Sequence, residues 1–115
     1  AIVRTGIGLV KGTNKKEKSW NLTVENGPAE LEGVNIPVHG AVVVGRAPGA
    51  DIVIGNGFVS GRHARFQLMG KSLFLEDLGS RNGTAVNGNR IAEPVALKGK
   101  DVVNIGDVTI RVRYE

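Results

Sequence analysis

Three short stretches carry side chains that turn-making alone does not require. They are Gly45-Arg46, then Phe58-Val59-Ser60-Gly61-Arg62-His63, then Ser80-Arg81-Asn82-Gly83-Thr84. Arginine offers a planar fork of donors, serine a hydroxyl and asparagine an amide, a set that suits the oxygens of a phosphate. Arg46, Ser60, Arg81 and Asn82 are therefore candidate anion-binding residues, provided that their loops meet. A second chemistry uses the same residue types. Ser60 and His63, with Asp77 or Asp51, could be named as a hydrolytic triad. Against it, Ser60 and His63 share one strand entry, with no nucleophile elbow and no oxyanion loop around them. Each residue also has a plainer reading: Arg46 as a solvated strand-end charge, Ser60 as the start of a strand, Asn82-Gly83 as a turn, Arg62 and Arg65 as surface charges.

The elements that must position these loops read as β-structure. Trp20, Leu22 and Val24 alternate and stop at Asn26-Gly27-Pro28; Val34 to Val38, Ala41 to Val44 and Asp51 to Ile54 follow as short strands. His63 to Met69 sets Ala64, Phe66 and Leu68 on one face, and Gly70-Lys71 turns the chain into Ser72 to Asp77. Short strands are predicted near Ala85–Val86 and Arg90–Ile91 around an Asn87-Gly88 hairpin turn, and Val102–Ile105 pairs with Val108–Tyr114 through Gly106-Asp107. About ten short strands, with no helix longer than a turn, predict an all-β sandwich.

Composition agrees. A chain of 115 residues, 41% hydrophobic and 23% charged, makes one domain with a real core, and 17 glycines with 4% aromatics favour a turn-rich fold. The net charge of +4 is confined to residues 1–18, where Arg4, Lys11, Lys15, Lys16 and Lys18 face only Glu17. We therefore expect a basic arm or linker over 1–18, whose pairing with the sheet its lack of alternation leaves open, and a folded domain over 19–115. The neutral body and scarce aromatics argue against nucleic-acid binding. Without cysteine there is no disulfide, thiolate metal site or cysteine nucleophile, and no metal or cofactor is expected. No apolar run approaches the ~20 residues of a membrane span, and no signal peptide is visible, so a cytoplasmic setting is expected. The chain begins at Ala1 and is compatible with a fragment of a longer protein.

Over Trp20 to Tyr114, about four-fifths of the chain, the sequence resembles a forkhead-associated (FHA) domain. The motifs run in order: Gly45-Arg46, Ser60-x-x-His63, Ser80-x-Asn82-Gly83-Thr84, Val86-Asn87-Gly88, and a closing pattern over Leu97 to Gly106. The resemblance implies a sandwich of about eleven short, mostly antiparallel strands whose loops at one end bind phosphothreonine peptides, within Ser/Thr-kinase signalling and without catalysis. It implies that Arg46 and Ser60 contact the phosphate, that Arg81 adds to those contacts, and that Asn82 holds the peptide main chain. Phe58, Gly61 and Arg62 become rim or peptide contacts, with Phe58 near the place where a following residue is selected. Gly45, His63 and Gly83 support the site from below.

Two departures from the family pattern stand out. Gly61 sits where many members carry arginine or asparagine, which could lower affinity, and Lys100 replaces a glycine, where only a local change of turn is expected. The expected partner is a phosphothreonine protein or peptide, bound by a monomer. Thr5 and Thr13 also make the arm itself a candidate ligand once phosphorylated. The alternative is a structural FHA domain that assembles proteins without reading phosphate. The two are separated by whether Arg46, Ser60 and Asn82 converge on an open surface.

Overall fold

The computed structural model describes residues 2–3 and 17–115. They form two six-stranded sheets packed face to face. In chain order the strands are β1 (Ile2–Val3), β2 (Trp20–Asn26), β3 (Asn35–Pro37), β4 (Ala41–Gly45), β5 (Ile52–Val53) and β6 (Ala64–Met69). They continue as β7 (Ser72–Asp77), β8 (Thr84–Val86), β9 (Asn89–Arg90), β10 (Val95–Ala96), β11 (Val102–Ile105) and β12 (Val108–Tyr114). One sheet has the order β1-β5-β4-β6-β7-β10 and the other β3-β2-β12-β11-β8-β9. All pairs are antiparallel except β4 with β5.

The alternation read from the sequence is what closes the core. Leu22, Val24, Val103, Ile105, Ile110 and Val112 point inward from one sheet and meet Val42, Val44, Ile52, Phe66, Leu73 and Leu75 from the other, all buried. Each such side chain contributes about 1.5–3 kcal/mol on burial, which fixes the register, because a one-residue slip would turn every one of them outward.

The expected sandwich is present, with two strands that alternation does not announce. Val95–Ala96 pairs with β7, and Ile2–Val3, inside the segment expected to be a basic arm, pairs with β5. Ile2–Val3 offers two adjacent apolar residues without alternation, and Pro94 breaks the run just before Val95. The remainder of the arm, with Thr5 and Thr13, lies outside the described residues. Asn87 and Gly88 have φ of 50° and 84°, the two left-handed residues of a hairpin turn that matches strand twist. Lys100 also adopts the left-handed conformation, with φ 76°.

Candidate functional site

The loops after β4, β5 and β7 gather at one end of the sandwich and are fastened to one another by specific bonds. The first joins the second through the backbone: Arg46 N–H donates to Ser60 O at 2.9 Å and Ala47 N–H to Gly61 O at 3.0 Å. Gly45 permits that approach, since a Cβ there would lie 2.1 Å from Gly61 O. The direction of Arg46 is thus set by a strand end that only glycine can make.

His63, fully buried at the entry to β6, ties the second loop to the third. Its Nδ1 accepts from Ser60 N–H at 3.0 Å, so Nε2 carries the proton and donates to Gly83 O at 2.7 Å. Above it, Ser60 Oγ accepts from Arg81 N–H at 3.0 Å, and Asn82 Nδ2 donates to Phe58 O at 2.9 Å. With a lone pair occupied by Arg81, the Ser60 hydroxyl proton is left to point at an acceptor in the groove. Asn82 keeps its carbonyl oxygen and one N–H.

Asp77 builds the third loop from inside. Its Oδ1 accepts from the hydroxyls of Ser80 and Thr84 at 2.5 and 2.7 Å, and its Oδ2 accepts from the N–H groups of Gly79 and Ser80 at 3.1 and 2.9 Å. Ser80 Oγ in turn accepts from Gly83 N–H at 2.9 Å. Burial pushes the Asp77 carboxyl up, but the bonds from Ser80 and Thr84 outweigh it, and its pKa falls below the ordinary value. A depressed carboxyl pKa adds stability above the unfolded value, and that stability disappears as pH falls through the folded one. The urea midpoint is therefore expected to hold from neutral pH down to about pH 4 and then to fall. Asp77→Asn should be less stable at neutral pH and should lose part of that acid slope. An unchanged slope in Asp77→Asn would assign acid unfolding to other groups.

Arg46, Ser60, Gly61, Arg81 and Asn82 line one groove of about 200 Å³. The Arg46 and Arg81 side chains form no ion pair among the described residues, so the two arginines that line this groove have no counter-charge there. Asn82 is shared with a neighbouring groove of about 350 Å³, where Phe58, Arg90 and Asp107 stand. Phe58 is 60% exposed there, an apolar surface beside the Asn82 amide. Arg62 is exposed and lines neither groove. Gly61 leaves room: a Cβ would meet nothing closer than Ala47 Cβ at 3.9 Å. Gly83, with φ 87°, packs so tightly on Arg90 that a Cβ would lie 2.4 Å from its Nε.

Sequence reasoning did not assign Asp77 or Thr84 to the support of this site. An aspartate two and three residues before Gly79 and Ser80 is the local signal for the first, because aspartate caps such turns. The buried Thr84 hydroxyl has no signal beyond its place in the motif. Among the described residues no cluster of His, Asp or Glu could hold a metal ion, and no helix is long and apolar enough to cross a membrane.

Comparison with known proteins places the sequence and the fold in a family. The model of the FHA domain matches residues 42–106. The FHA domain-containing protein FhaB of Mycobacterium tuberculosis is 35% identical over 97% of this chain and 74% of its own length. A structure from work on phosphothreonine-dependent FHA domain interactions superposes with a TM-score of 0.73 at 30% identity, over 83% of this chain and 95% of that one. The kinase-interacting FHA domain of the Arabidopsis kinase associated protein phosphatase superposes with a TM-score of 0.74 at 29% identity, over 86% of this chain and 96% of that one.

Proposed function

The chain belongs to the FHA family, and on that premise we propose that it is a phosphothreonine-binding module that docks partner proteins within Ser/Thr-kinase signalling. The observation that supports this reading best is the convergence of Arg46, Ser60, Arg81 and Asn82 on one groove whose two arginines lack counter-charges. In this reading Arg46 and the Ser60 hydroxyl hold the phosphate, with Arg81 adding charge beside them. Asn82 uses its carbonyl oxygen and remaining N–H on the peptide backbone, and Phe58 presents an apolar surface to a side chain further along. His63 acts only by positioning, since both its ring nitrogens are spent on Ser60 N–H and Gly83 O.

That last arrangement argues against a hydrolase. Ser60 Oγ accepts from Arg81 N–H, and His63 receives the Ser60 backbone N–H instead of its hydroxyl, so no base stands ready to take the hydroxyl proton. The module works by binding, as a monomer, in a cytoplasmic setting where kinases act. A phosphorylated Thr5 or Thr13 on the same chain would reach effective concentrations of about mM and compete with external ligands.

A phosphopeptide array with matched unphosphorylated controls tests the reading and identifies a peptide to titrate. On that peptide, replacing phosphothreonine by phosphoserine is expected to weaken binding more than fourfold. Burying one methyl is worth about 0.8 kcal/mol, roughly fourfold, and the β-branched side chain is in addition held near its bound rotamer before binding. Salt dependence should be the same for both peptides, because the same charges meet. Equal affinities would show that this chain reads phosphate without reading threonine.

A further inference from the structure

The charges of residues 19–115 cancel in sequence, ten basic against ten acidic, but not in space. At the end of the sandwich opposite the Arg46 groove, the entry to β2, the β10–β11 loop and the end of β12 enclose a larger groove of about 620 Å³. Lys18, Lys100, Arg111 and Arg113 line it. Its two carboxylates are already engaged, Glu25 Oε2 by Arg111 Nε at 3.2 Å and Glu115 Oε1 by Arg113 Nη1 at 3.5 Å. Lys18 and Lys100 form no ion pair among the described residues, so the groove keeps a positive excess.

Lys100 is the informative residue. Its φ of 76° is one that glycine takes freely and a side-chain-bearing residue resists. The turn is held regardless, with Lys100 N–H donating to Val112 O at 2.7 Å and Arg111 Nη1 donating to Lys100 O at 2.9 Å. Folding alone would favour glycine here. What lysine adds is an ammonium on the rim of a groove that is already basic, and residues held against their backbone preference concentrate at functional sites.

We propose that this groove is a second docking surface, separate from the phosphate groove, which takes an acidic, unphosphorylated segment of a partner protein. It shares Lys18 and Tyr114 with another groove of about 610 Å³, lined by both Lys71 and Glu17, so the two adjacent grooves offer an extended chain more basic than acidic side chains. A nucleic acid fits less well. The Tyr114 ring is engaged by Trp20, with centroids 4.4 Å apart, and by the Lys18 ammonium at 5.6 Å, so it offers no free stacking platform. A membrane also fits less well, because Tyr114 is the only exposed large apolar side chain among the lining residues described.

The test titrates the protein at low ionic strength with an oligoglutamate peptide that carries no phosphate, followed by NMR and calorimetry. Amide shifts are expected at Gly99, Lys100 and Arg113 and not at Ser60 or Asn82. Lys100→Gly should weaken binding about two- to fivefold while raising the thermal unfolding midpoint, and Lys18→Ala, which leaves the turn alone, should weaken it similarly. The proposal is overturned by unchanged affinity in either variant, by shifts confined to Ser60 and Asn82, or by a lower midpoint in Lys100→Gly. Tighter binding of an oligonucleotide or of phosphatidylserine vesicles to the same residues would overturn it in favour of that partner.

Discussion

Arg46→Ala is expected to weaken binding of a phosphothreonine peptide about 10- to 150-fold, because a charge-assisted hydrogen bond is worth about 1.5–3 kcal/mol. The fold should be untouched. Arg46 fastens its loop through its backbone N–H to Ser60 O, a bond that alanine keeps, and its side chain is exposed and forms no ion pair among the described residues. Calorimetry on wild type and variant with one peptide measures the first effect, and superimposable urea transitions check the second. Equal affinities would remove Arg46 from the phosphate contacts.

His63→Ala should act in the opposite order, on the fold first and on binding as a consequence. The substitution strands Ser60 N–H and Gly83 O, each worth about 1–3 kcal/mol when buried without a partner, and leaves a cavity beneath the loops. A loss of about 2–6 kcal/mol follows from the two polar groups alone, a large share of a small domain's stability. Ser60 and Gly83 would then lose their common tether, and phosphopeptide affinity should drop even where the variant remains folded. Urea denaturation reads the stability, and a midpoint within error of wild type would mean that water or a loop shift replaces the imidazole.

Much of this architecture could be read in the sequence because both signals involved are local. Inward residues such as Leu22, Val24, Phe66 and Leu75 recur at the period of a strand, and Asn87-Gly88 states its turn type in two residues. The candidate residues Arg46, Ser60 and Asn82 stood out because each follows or accompanies a glycine in a short loop, in a characteristic order. What was not legible depends on distance in space. Nothing in the sequence says that Phe58 O receives Asn82, or that Asp77 accepts from Thr84 seven residues later. Strand β1 was hidden for a different reason: pairing with β5 through Ile2 and Val3 needs an exposed edge at β5, which only the folded sheet provides. Lys100 misleads in a third way, since a lysine gives no warning of a left-handed turn.

The central claim is that the groove between Arg46, Ser60, Arg81 and Asn82 takes the phosphate of a phosphothreonine. Its most direct measurement is a calorimetric titration of the protein with one phosphothreonine peptide and with the same peptide unphosphorylated, NMR shifts being followed in parallel. The account predicts saturable binding of the phosphorylated peptide alone, with the largest shifts at Arg46, Ser60, Arg81 and Asn82. Equal binding of both peptides, or shifts that leave these four residues unmoved, would contradict it.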